Sequence, residues 1–235
     1  MNSTARKLLL SPQGIVRNGL IAEYRFNEGA GQILYDYKNN NNGQLGSTAG
    51  ADTNDPTWTT QGLTFATDDY CVMPVPFDVN GDWTVCLVVK RDGIPAGGEY
   101  FYSIGNSTTD TPNIAFLNDV VANRVIMRVG NDAGNAAYPT LANNNVGFNL
   151  FCLKKENNIF RVKNVGTQTF VVTSVSGIFT LNRCTLGAFA RVNIAAYLNG
   201  EIAYYMPYSR ATSDAEDMQN YRHLKKILAG RGVAI

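Results

Sequence analysis

WTVCLVVK, residues 83–90, carries the architecture of this chain. Apart from Thr84 and Lys90 it is apolar throughout and rich in β-branched residues. Such a run reads as a central strand covered on both sides, because a half-exposed strand would alternate. Alternation is what the other segments show. In LIAEYRFN, residues 20–27, Leu20, Ala22, Tyr24 and Phe26 share one face, and Ile21, Glu23, Arg25 and Asn27 share the other. RVIMRV sets Val125, Met127 and Val129 against Arg124, Ile126 and Arg128, and FRVK alternates Phe160 and Val162 with Arg161 and Lys163. FVVTSV and EIAYYMPY add further strands. Asn-Gly dipeptides at 18–19, 42–43, 80–81 and 199–200 supply hairpin turns. Many short strands with turn signals between them predict an all-β chain folded as an antiparallel β-sandwich or jelly roll.

One helix closes the sequence, in SRATSDAEDMQNYRHLKKILAGRG, residues 209–232. Ser213 and Glu216, three residues apart, spell a capping box. Asp214, Glu216 and Asp217 load the first turn, and Arg222, Lys225 and Lys226 the later turns, as the helix dipole favours. Met218, Tyr221, Leu224 and Leu228 form one apolar stripe, and Gly230 and Gly232 end the helix. The spacing predicts a helix over about 213–229, its stripe lying on the edge or mouth of the sandwich.

The chain has 235 residues, 45% hydrophobic and 17% charged, so many exposed positions must be Asn, Thr, Ser and Gly. Without a fixed-period repeat or a Pro- or Ser-rich linker, residues 19–235 read as one domain. Residues 1–18 are polar, basic at Arg6, Lys7 and Arg17, and lack alternation; they read as an N-terminal arm. The net charge is +1 and no long basic stripe appears in the sequence, which argues against nucleic acid as a partner. No apolar run has the length of a bilayer-spanning helix. Three leucines after Arg6 and Lys7 are too few for a signal-peptide core, so synthesis and folding in a cytoplasm are expected. Cys71, Cys86, Cys152 and Cys184 fall singly inside apolar runs, a spacing that argues against zinc and for small buried thiols.

Several segments together resemble the laminin G-like, concanavalin A-like jelly-roll domains. GLIAEYRFNEGAGQILYDYKNNNNGQL resembles their opening, through Tyr24, Phe26, Glu28, Gly29, Gly31, Asp36, the asparagines 39 to 42 and Gly43. GLTFATDDYCVMP is similar to the next strand pair, DWTVCLVVKRDG to the central strand, and NLFCLKKENNIFRVKNVG to a later hairpin. Arg210, Ser213, Asp214 and Glu216 match the terminal signature, and QNYRHLKKILAGRG resembles extensions seen in tailed-bacteriophage virion proteins. The resemblance spans roughly residues 19 to 230.

What this implies for function divides into classes. A glycoside hydrolase needs two carboxylates about 5–10 Å apart, and the Glu-x-Asp-x-x-Glu strand of the hydrolase branch has no counterpart here. His223, the single histidine, lies on the helix with no metal-ligand partner near it in sequence. The expectation is therefore a non-enzyme with no cofactor: a structural protein of a tailed-bacteriophage virion surface, as capsid decoration or fibre subunit. Its implied partners are other virion proteins through residues 1–18, a host-surface glycan and further copies of the chain. The alternative is a carbohydrate-binding module of a tail or fibre that recognises a host receptor. Laminin G-like domains with calcium suggest Asp36, Asn39 and Asn41 as loop ligands, against plain turn chemistry. For a glycan, Trp58, Tyr100, Tyr102 and Tyr138 are the aromatic candidates, against the ordinary reading of aromatics as core.

Overall fold

A computed structural model describes residues 14–93, 97–120, 124–142 and 146–235. Its first strands are β1 (Ile33–Leu34), β2 (Gly43–Leu45), β3 (Thr57–Trp58), β4 (Leu63–Phe65), β5 (Cys71–Met73) and β6 (Trp83–Arg91). Next come β7 (Glu99–Gly105), β8 (Asn113–Asn118), β9 (Arg124–Gly130), β10 (Ala136–Ala137) and β11 (Thr140–Ala142). The last are β12 (Asn149–Glu156), β13 (Ile159–Asn164), β14 (Thr169–Ser174), β15 (Arg183–Leu186) and β16 (Gly200–Tyr208), before helix α1 (Asp214–Ala229). A nine-stranded sheet runs β1-β2-β5-β15-β7-β8-β9-β10, with β11 also on β9, and a seven-stranded sheet runs β14-β13-β12-β6-β16-β4-β3. Neighbours in both sheets pair antiparallel, and the two form the expected sandwich with a C-terminal helix.

The opening octapeptide behaves as its pattern requires. Trp83, Val85, Leu87 and Val89 of β6 enter the core between the sheets. Cys86 and Val88 face the opposite side, inside a second apolar cluster. On β12, Phe151 and Leu153 point inward while Leu150 and Cys152 point outward. In β16 the register slips between Ile202 and Tyr204, so Ala203 and Tyr204 both face the second cluster and Tyr205 returns to the first. Stacked and edge-on rings fill the inner core, with Trp83 5.0 Å from Phe77 and Phe116 4.9 Å from Phe151.

Helix α1 roofs the outward face of the seven-stranded sheet, not the edge or mouth of the sandwich. The reason is the second cluster: β6, β12 and β16 carry apolar residues on both faces, and Leu224 and Leu228 cover the outer one. The buried residues of α1 are Asp217, Asn220, Leu224 and Leu228, whereas Met218 and Tyr221 are only partly covered. The capping box forms: Ser213 Oγ accepts from the Glu216 amide at 3.3 Å and Glu216 accepts from the Ser213 amide at 2.8 Å. Asp217 accepts from Thr212 Oγ1 at 2.6 Å and pairs with Lys154 Nζ at 3.3 Å. Asn220 accepts from the Val16 amide and donates to the Tyr208 hydroxyl, both at 2.9 Å.

Residues 1–13 of the expected arm lie outside the described residues. Ile15 and Val16 pack in the second cluster beneath α1. The following segment, LIAEYRFN, makes isolated bridges from Leu20 to Tyr208 and from Tyr24 to Asp36 and Tyr205, in place of a continuous strand. Its alternation survives, with Leu20, Ala22, Tyr24 and Phe26 buried.

The four cysteines divide into two kinds. Cys86 and Cys152, direct partners across β6 and β12, form a disulfide, which corrects the expectation of four thiols. Cys71 and Cys184 are buried free thiols, and burial pushes Cys184 up to about 12.

Candidate functional site

The site is built where residues 17–31 pass the end of α1. Alternation puts Glu23 on the outer face of its segment, and the helix roof turns that face into interior, so its side chain is buried. Its carboxylate accepts from the Tyr204 hydroxyl at 2.5 Å, from Arg25 Nε at 2.9 Å and from Arg17 Nη1 at 2.5 Å. Burial alone would raise the Glu23 pKa, but these three donors together hold it below the ordinary carboxylate value. Tyr204 moves the other way, raised by burial and by Glu23.

Past Arg25 the chain turns on Phe26 (φ 54°), Gly29 (φ 74°) and Gly31 (φ 92°), the last two being the NEGAGQ glycines. Left-handed backbone is unstrained for glycine and uncommon for phenylalanine. Arg231, just beyond α1, holds this conformation by donating to Arg25 O at 2.7 Å and Phe26 O at 2.8 Å. Its Nε donates to Thr60 O at 3.2 Å, and Nη2 also donates to Gln61 O.

These contacts leave a cleft of about 300 Å³ lined by Arg17, Arg25, Asn27, His223, Ile227 and Arg231 over Glu23 and Tyr204. Asn27 and Arg231 also line a wider adjoining groove of about 670 Å³ beside Gly29, Trp58, Thr59 and Thr60. The Arg17 and Arg25 side chains stay 59% and 39% exposed, so donors remain beyond those bound to Glu23. Burial lowers the His223 pKa, and Arg17, Lys226 and Arg25 act in the same direction against Glu23. The groove therefore offers guanidinium donors, an amide, two hydroxyls and an indole, with its one carboxylate already bound. Such a lining suits an anionic, hydroxyl-rich ligand.

Of the aromatic candidates, Trp58 lies in this groove, its indole donating to Gly31 O at 2.9 Å. Tyr102 is fully buried in the core, and Tyr100 stacks on Phe189 at 4.5 Å in a small buried cluster. Tyr102 faces the core and Tyr100 the opposite face of the nine-stranded sheet, where Leu117 and Phe189 pack on it, and neither lines the groove. Tyr138 is 56% exposed between β10 and β11, near Arg128 of β9, on the nine-stranded sheet and away from Trp58. Arg17, Glu23, Arg25, Asn27 and Arg231 were not singled out in the sequence, where nothing links positions 17–27 to position 231.

The suggested calcium ligands do not fit a cation. Asp36 accepts four backbone amides, from Glu23 and Lys38 at 2.9 Å, Asn39 at 3.0 Å and Asn41 at 3.2 Å. Asn39 donates its side-chain amide to Ile21 O. This is turn chemistry, with donors where a cation would need acceptors. Among the described residues one group of metal-ligand type gathers, Cys86, Cys152 and Asp217, within 4.8 Å of one another. The two sulfurs are bonded to each other and Asp217 is taken by Lys154 and Thr212, so this donor set does not fit a metal either.

No family model and no curated protein sequence matches the chain. Solved structures do. The chain is similar to Trypanosoma rangeli sialidase in complex with 2,3-difluoro-KDN, with a TM-score of 0.69 at 13% identity over 96% of this chain and 38% of that one. It is also similar to the CBM40 carbohydrate-binding module of Ruminococcus gnavus IT-sialidase, with a TM-score of 0.50 at 18% identity over 58% of this chain and 80% of the module. A leech intramolecular trans-sialidase gives a TM-score of 0.50 at 20% identity over 60% of this chain and 23% of that one.

The likeness is one of fold. It is an all-β fold found with carbohydrate recognition, and the chain spans about a third of the length of the T. rangeli sialidases it matches. This corrects the expectation of a non-catalytic virion structural protein, whether capsid decoration or fibre. The likeness runs to sialidases, a trans-sialidase and a carbohydrate-binding module. The expectation of a non-enzyme is corrected with it, because the structures that share this fold include sialidases and a trans-sialidase. Among the described residues no helix is long and apolar enough to cross a membrane.

Proposed function

We propose that this domain binds carbohydrate, and that its ligand is an acidic sugar held in the groove between residues 23–31, Thr59–Thr60 and the end of α1. The observation that carries the reading is that Asn27 and Arg231 line both the arginine cleft and the adjoining groove that contains Trp58. Arg17 and Arg25 would face the carboxylate, Asn27, Thr59 and Thr60 the hydroxyls, and Trp58 an apolar sugar face. The resemblance of residues 19–230 to laminin G-like domains supports the same reading, as do the matching sialidase complexes with sialic acid and its analogues.

Calorimetric titration with sialic acid and sialyllactose, beside lactose, tests the proposal. Saturable binding that needs the acidic sugar and is lost in Trp58→Ala and Arg25→Ala supports it. Equal binding of lactose, or binding indifferent to both substitutions, rejects this groove. Turnover of a fluorogenic sialoside by the same preparation tests a catalytic role directly.

A further inference from the structure

The cations of this region extend past the cleft. His223 and Ile227 line it from one stripe of α1, and Arg222 and Lys226, each one residue earlier, form the adjoining exposed stripe. Neither Arg222 nor Lys226 makes an ion pair among the described residues. Arg17, Arg25 and Arg231 line the cleft over Glu23, and Arg222 and Lys226 add two exposed cations on the adjoining helix stripe, in a chain whose net charge is only +1. They do not converge on one point. Arg231 stands where the Trp58 groove meets the cleft, Arg17 and Arg25 inside it, and Arg222 and Lys226 on the helix beyond.

A single acidic sugar would meet the cleft arginines and leave the helix cations unanswered. We infer that the groove takes an acidic polysaccharide, with anionic groups on successive sugars, running from Trp58 through the arginine cleft onto the Arg222–Lys226 stripe. This rests on the carbohydrate reading and gives that ligand its polymeric form. A glycan is favoured over another polyanion because the row of charge adjoins Trp58, Asn27, Thr59 and Thr60, groups suited to sugar faces and hydroxyls. Free carboxylates and sulfate monoesters both offer one negative charge to these side chains.

The test is affinity against ligand length, from monosaccharide to hexasaccharide, at about 0.15 M ionic strength where distant charges are screened. Oligogalacturonides provide the carboxylate series, heparin fragments the sulfate series, and dextran oligosaccharides the neutral one. We expect affinity to rise roughly tenfold or more with length in an acidic series, which also identifies the anionic group, and to stay flat in the neutral series. In Arg222→Glu/Lys226→Glu, and more mildly in Arg222→Gln/Lys226→Gln, the rise with length should disappear. Both pairs lie on an exposed helix face, and circular dichroism checks that they fold. Acidic monosaccharides bound as tightly as hexasaccharides would overturn the polymer inference and leave the groove reading standing. No binding of any sugar would remove both. A short DNA duplex bound as tightly as the best oligosaccharide would also overturn the inference, since charge alone would then explain the surface.

Discussion

Arg231 Nη2 donates to the carbonyl of Phe26 at 2.8 Å, tying the end of the C-terminal helix to a residue about two hundred positions earlier. With Nη1 on Arg25 O, one guanidinium holds both the left-handed turn at Phe26 and the wall of the groove. Arg231→Ala should therefore destabilise the fold by about 3 kcal/mol, the upper range for hydrogen bonds to a charged group. It should also weaken ligand binding. Arg231→Lys keeps the charge without the planar fork and should recover little of either. A lysine variant as stable as wild type in urea denaturation would show that the fork is not what holds this turn.

Lys154 and Asp217 are both inside the protein, under the first turn of α1. Asp217→Ala leaves the lysine buried without its carboxylate, a change that typically costs about 3–5 kcal/mol. The double variant Asp217→Leu/Lys154→Met removes both charges and should be more stable than Asp217→Ala. A single variant that loses under about 1 kcal/mol would mean that Lys154 escapes to water.

Those two residues also mark where sequence reading stops. Apolar periodicity found the helix, its capping box and the covered strand β6, because each is encoded within a few neighbouring residues. It assigned the apolar stripe to Met218, Tyr221, Leu224 and Leu228, of which Leu224 and Leu228 are buried, whereas Asp217 and Asn220 go deeper than Met218 and Tyr221. Their burial depends on Lys154, Thr212, Tyr208 and Val16, partners supplied by other elements. The disulfide was hidden for the same reason, since pairing Cys86 with Cys152 requires the register of β6 on β12. Trp58 was legible as an aromatic in a loop-like segment. Tyr100 and Tyr102 were not separable from it by that criterion, although they begin a strand whose side chains are interior. The arginines of the groove come from distant segments, and only the fold assembles them.

Thiol chemistry gives a simple count. Native protein should react with no thiol reagent, because Cys71 and Cys184 are buried and Cys86 and Cys152 are bonded. Unfolding without reductant should release two thiols, and with reductant all four. The bridge closes 66 residues, which loop entropy values at about 4 kcal/mol. Cys86→Ala/Cys152→Ala should lose up to that amount. Four reactive thiols in unreduced, unfolded protein would contradict the bridge.

Glu216 lies at about 2, held there first by the Arg210 hydrogen bonds and then, against burial, by Ser213. A folded-state value below the unfolded one, about 4.3, stabilises above that pH and is lost as pH falls toward 2. Asp214 is also lowered: burial raises it, but Lys163 and Arg161 outweigh that, so the informative quantity is a difference between variants. Glu216→Gln keeps an acceptor for the Ser213 amide but loses the charge paired with Arg210, and should lower stability by about 1 kcal/mol at neutral pH, the upper scale for a partly exposed ion pair. The gap from wild type should narrow as pH falls between about 4.3 and 2. A gap independent of pH would remove the carboxylate from the account.

The most direct test of the groove uses the two tryptophans as probe and control. Trp58 lines the groove and its indole N–H donates to Gly31 O, whereas Trp83 is buried in the core with its own bond to Val79 O. Both indole resonances can be followed by NMR during titration with an acidic oligosaccharide. The account predicts a saturable shift of the Trp58 indole with the Trp83 indole unmoved. Saturation of the protein by that ligand with Trp58 unmoved would contradict it.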